Sequence, residues 1–90
     1  MIKTYEKQID LEFGTGDIGF NSGSYIENDK KIGMMGFYNQ KSREIGMVGD
    51  IKAGQECLLG DFPIIMTFYK KESIDVIIEG LLDAKKQMDK

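Results

Sequence analysis

Residues 5–13 alternate in character. Tyr5, Ile9, Leu11 and Phe13 share one face, Glu6, Gln8, Asp10 and Glu12 the other, and Lys7 breaks the pattern. Period two predicts a strand half buried against a core. A glycine-rich stretch covers residues 14–23, and Asn28 and Asp29 then supply good turn chemistry. The pattern predicts a hairpin around them that leads into a strand over residues 32–38. The polar residues 39–43 read as a second turn, residues 44–51 as a fourth strand, residues 53–62 as a loop, and residues 64–69, opened by Pro63, as a fifth strand.

The clearest periodicity lies at the end of the chain. Ile74, Ile77, Ile78, Leu81 and Met88 recur at helical spacing, with Asp75, Glu79 and Asp83 on the other side. Ser73 is the candidate N-cap, Asp75 suits the positive end of the helix dipole, and Lys85, Lys86 and Lys90 suit the negative end. A helix is expected over about 73–88. Gly80 is its odd member, costing about 1 kcal/mol against alanine, and close approach to a sheet would explain it. The sum is an α+β fold: an antiparallel β-meander of four to five strands with one C-terminal α-helix packed on one face. Residues 1–90 are expected to form a single domain.

Short segments recur at meander spacing: IGFNSG at 18–23, IGMMG at 32–36 and IGMVG at 45–49. Ten of the eleven glycines lie between positions 14 and 60. Glycine within strands marks bends, bulges or close approach by another group, so a strongly bent sheet is expected.

The predicted third and fifth strands are apolar on both sides. Ile32, Met34 and Tyr38 alternate with Met35 and Phe37, and Ile64, Met66 and Phe68 alternate with Ile65 and Tyr69. Such strands need cover on both faces. One helix of this length is ~24 Å long and shields one face. Met35, Phe37, Ile65 and Tyr69 therefore stand as candidate interface residues, and a homo-oligomer is the expected way to close the second face.

Composition narrows the function. Net charge is −3, and the twelve Lys and Arg residues divide evenly between the halves. No basic cluster larger than a lysine pair is present, which disfavours nucleic acid as a partner. No apolar run reaches the ~20 residues of a membrane helix, and the N-terminal residues lack a signal-peptide core. The lone Cys57 forms no internal disulfide, so the cytoplasm is the expected location.

Catalytic groups are scarce. The chain has no histidine, the commonest general base and metal ligand, and Cys57 lacks a base to activate it. No carboxylate spacing suggests a metal site, and neither a cofactor nor an enzymatic activity is expected. Gly14, Gly16 and Gly19 match the G-x-G-x-x-G pattern, but a poor helix-forming sequence follows them, against the dinucleotide-binding arrangement. The expected function is a non-catalytic binding protein, an inhibitor or sequestering module of the kind small acidic domains of phage or mobile elements supply. Its candidate ligand groups are Gly14, Thr15, Gly16, Asn21, Ser22 and Tyr25 of the glycine-rich loop, with Lys31 and Arg43 adding charge for a small phosphate-bearing ligand. The alternatives are a protein–protein adaptor that takes no small ligand and a nucleotide or phosphate-binding domain.

Overall fold

A computed structural model describes residues 1–47, 49 and 59–89 of the chain. The fold is α+β: a two-stranded and a three-stranded antiparallel sheet followed by one C-terminal helix. Strand β1 (Ile2–Thr4) pairs with β2 (Ile9–Leu11), placing Ile2 opposite Leu11. The strand expected over residues 5–13 is thus shorter, because residues 5–8 turn the chain through Tyr5 N–H donating to the Gln8 carbonyl at 2.7 Å. Lys7, which broke the alternation, lies within that turn.

Strand β3 (Ile18–Glu27) runs through the stretch read as a glycine-rich loop, and this is the largest departure from the sequence reading. It pairs along its whole length with β4 (Lys30–Asn39). Asn28 and Asp29 join them, both with positive φ (50° and 63°), the requirement of a two-residue type I′ hairpin turn. Strand β5 (Ile64–Phe68) pairs with the other edge of β4, giving the order β3-β4-β5. The strand expected over residues 44–51 is absent where the structure describes it. Residues 44–47 form a turn, with Met47 N–H donating to the Glu44 carbonyl at 3.1 Å and Gly46 at φ 92°; the remainder, apart from Gly49, lies outside the described residues, as does Cys57.

The register assigns the two faces of the larger sheet. Ile32, Met34, Gly36 and Tyr38 point one way, with Gly19, Asn21, Tyr25 and Ile65 beside them; Gly33, Met35 and Phe37 point the other way, with Phe20, Ser22, Ile64, Met66 and Phe68. On the first face Phe62 lies over Gly36 and packs against Tyr38, ring centroids 6.2 Å apart. On the second, Phe13 meets Phe37 edge to face at 6.1 Å and Phe20 meets it at 6.4 Å. Ile18, Ile32, Phe37, Tyr38 and Phe62 are buried, and Ile32 is only 1% exposed. Each face of the central strand is therefore covered over its middle by the chain itself. The inference that a single helix leaves one face without cover does not hold at Phe37, because aromatic side chains from the flanking segments provide it.

Helix α1 (Lys71–Gln87) starts two residues before its expected limit, so Ser73 lies inside it. Lys70 occupies the cap position and makes no side-chain cap bond, and Glu72 supplies the negative charge in the first turn. The helix meets the sheet through Ile74, whose Cδ1 lies beside Gly33 of β4. Packing along the rest of its length is slight: no residue of the helix is buried, and Ile77 and Ile78 are only half covered. Gly80 faces open space, so close approach to the sheet is not its reason.

Candidate functional site

Two surfaces stand out, a cavity at one end of β3 and the apolar face of α1. The cavity, about 440 Å³, is bounded by the Phe13–Gly16 and Gln40–Met47 segments and by Ile18 and Phe20 of β3. Its walls form because two chain segments cross at van der Waals distance. Arg43 N–H donates to the Thr15 carbonyl at 3.2 Å, and the Gln40 side-chain amide donates to the Gly16 carbonyl at 3.1 Å. Gly16 has φ 71°, and a Cβ there would overlap the Arg43 carbonyl oxygen at 1.8 Å. Only glycine satisfies both conditions. Gly16 thus serves a chain crossing, on which its own carbonyl and that of Thr15 are already spent.

Apolar side chains dominate the rim. Phe13, Phe20, Ile45 and Met47 are each more than half exposed. Polar character comes from Gln40, Arg43 and Glu44, of which Arg43 is the cation. Close by, the Met1 ammonium group lies 2.8 Å from the Asp17 carboxylate and, through that hydrogen bond, holds it below its ordinary pKa. Lys3 does the same to Glu12 at 3.0 Å, and the lysine is raised in return.

Three of the eight residues proposed from sequence as ligand groups, Gly14, Gly16 and Arg43, line this cavity together. Thr15 lies between them and contributes its carbonyl to the crossing. The other four are elsewhere. Asn21 and Tyr25 lie on one face of β3 and Ser22 on the other, while Lys31 is near the hairpin turn at the far end of the strand. Ten strand residues span ~33 Å, so Arg43 and Lys31 cannot hold one small molecule together. The Asn21 Oδ1 atom is buried with no hydrogen-bond partner among the described residues.

The four candidate interface residues also separate. Met35 and Phe37 are on one face and Ile65 is on the other, because Ile65 pairs with Gly36. Phe37 is 7% exposed and offers no surface, whereas Tyr69 is 66% exposed. The Tyr69 hydroxyl donates to Glu27 at 3.4 Å, and the charge of Glu27 raises its pKa.

The second surface belongs to a segment whose stripe the sequence reading assigned to the sheet. At about 100° per residue, Ile77, Met88, Leu81, Ile74, Ile78 and Leu82 form one continuous arc of α1. Cover falls away along the arc: Ile77 and Ile78 are 44% and 48% exposed, Leu82 60%, Leu81 66% and Met88 83%. The periodicity located this arc, but periodicity carries no information on what lies against it.

Among the described residues no group of acidic, cysteine or histidine side chains is placed to hold a metal ion. No helix among the described residues is long and apolar enough to cross a membrane. No family model, curated protein or solved structure matches this chain.

Proposed function

We propose that this chain is a non-catalytic binding protein that works as an assembly, using the apolar arc of α1 as its association surface. The observation that carries this reading is a seventeen-residue helix with no buried residue and an aliphatic face broken only by Lys85. Isolated helices of this length are marginal in water, and helices in proteins draw most of their stability from packing an amphipathic face. Here the described chain supplies that packing mainly at Ile74 and only in part at Ile77 and Ile78. Fully burying one aliphatic side chain gains ~1.5–3 kcal/mol. Covering five partly exposed ones on each of two copies gains on the order of 10 kcal/mol, within the range of ~4–15 kcal/mol that association costs. The absence of histidine, which removes the commonest acid–base catalyst, supports a role by binding.

Native mass spectrometry of the purified chain and of Leu81→Lys tests the reading. Wild type is expected to carry more than one subunit, and the variant one. A single subunit for both overturns it.

The cavity favours a second reading, a small ligand. Its exposed aromatic and aliphatic rim and single arginine suit a molecule with an apolar body and one anionic group better than a polyphosphate. Thermal shift with a panel of aromatic carboxylates and nucleotides checks it. A melting temperature unmoved by every member removes this reading.

A further inference from the structure

Resting on the reading of α1 as an association surface, we propose that its occupant is the α1 helix of a second copy, antiparallel and centred on Leu81. The arc runs from Ile74 to Met88, and Leu81 is its midpoint. An antiparallel pair with twofold symmetry about that residue sets Leu81 against Leu81, Ile74 against Met88 and Ile78 against Ala84. In such an interface residue i meets residue j while j meets i. Lys85 also falls within the arc, and its aliphatic stem can lie along apolar surface with the ammonium group in water.

Charge selects this direction. Asp75 and Lys86 are eleven residues apart, about three turns, and so flank the arc on the same side, with Glu79 and Asp83 further round towards the back of the helix. Neither takes part in an ion pair among the described residues. An antiparallel pair brings these equivalent flanks together and places Asp75 of each copy beside Lys86 of the other, twice. A parallel pair sets this flank against the opposite one, formed by Val76, Gly80, Ala84 and Gln87, where no charge is present.

Area points the same way. One helix face ~25 Å long and ~10 Å wide falls short of the ~800 Å² per partner typical of stable complexes. The antiparallel arrangement carries the Met88 end of each helix towards Ile74 of the other copy, where Gly33 and Phe68 continue the apolar surface onto the sheet. Half-buried Met35 and Met66 lie on that same face.

The experiment is a dimer dissociation constant from sedimentation equilibrium for wild type, Asp75→Lys, Lys86→Asp and an equimolar mixture of the two variants. Both positions are exposed, so the fold is not at stake. Each single variant converts two attractions into two repulsions and is expected to weaken the dimer about tenfold. The mixture restores opposite charges at both contacts and is expected to return to wild-type affinity. A wild-type dimer with single variants of unchanged affinity, or a mixture that fails to recover, overturns the antiparallel arrangement and leaves the association surface standing. A wild type that stays monomeric at every concentration overturns both.

Discussion

At Gly36 the fold leaves no room for a methyl group. A Cβ there would meet the Phe62 ring at 2.4 Å, against the ring's inner carbons, which cannot swing aside. Gly36→Ala is expected to cost about 1–3 kcal/mol in a denaturant melt, the usual penalty for overpacking. Gly80 is the contrast, since its added methyl would meet nothing. Gly80→Ala is expected to stabilise by about 1 kcal/mol through helix propensity. The two substitutions are chemically identical and differ in sign, because one glycine makes room for an aromatic ring and the other makes room for nothing in its own chain. Charge acts at this scale too. Folded Glu12 and Asp17 both hold their protons less readily than usual, so their contribution to stability is present above the carboxylate range and is lost as pH falls through it. Glu12→Gln is expected to flatten the acid side of the stability–pH profile. For Tyr69 the sign is reversed. Its pKa is raised chiefly by Glu27, so its contribution is present below the ordinary tyrosine range and fades as pH rises through it. Absorbance titration of Glu27→Gln is expected to move Tyr69 back towards the ordinary value.

Among the elements, the helix and the Asn28-Asp29 turn were the most legible, and β3, the strand that enters that turn, the least. Asn28 and Asp29 both adopt positive φ, and Asn-Gly is the pair that best tolerates this. Asp29→Gly is therefore expected to raise the melting temperature slightly, and Asp29→Val to lower it by about 1–2 kcal/mol equivalent, since a branched side chain resists the left-handed region. Glycine content made residues 18–23 resemble a loop, because glycine weakens an isolated strand. The pairing partner reverses that judgement: Gly19 faces the Tyr38 ring, whose atoms would lie within 2.4–2.5 Å of a Cβ. Those glycines are places where side chains from β4 cross the sheet. In the G-x-G at 14 and 16, Gly16 makes room for a backbone crossing with Arg43, and both glycines line the cavity beside it.

For the whole molecule the relevant quantity is uncovered apolar surface. Its radius of gyration is 14.5 Å with a longest dimension of 44 Å, against ~12 Å expected of a compact domain this size. Helix α1, with no buried residue, carries much of that uncovered surface. If copies pair through it, folding and association are linked, and the melting temperature is expected to rise with protein concentration. Differential scanning calorimetry over a dilution series checks this, with Leu81→Lys expected to melt at a concentration-independent temperature.

The order of hydrophobic and polar residues determined the class of fold, the position of the last two strands of the larger sheet, the hairpin turn and the helix to within two residues. Each of these depends on local periodicity or on the backbone preferences of one or two residues, which are properties of neighbours in the chain. Which glycines face aromatic rings, which face each side chain of β4 occupies, and whether the helix lies along the sheet or leaves it are settled by contacts between residues distant in sequence. Those contacts moved the uncovered apolar surface from the sheet, where Phe13, Phe20 and Phe62 supply the cover, to the helix, where beyond Ile74 the described chain leaves the arc exposed.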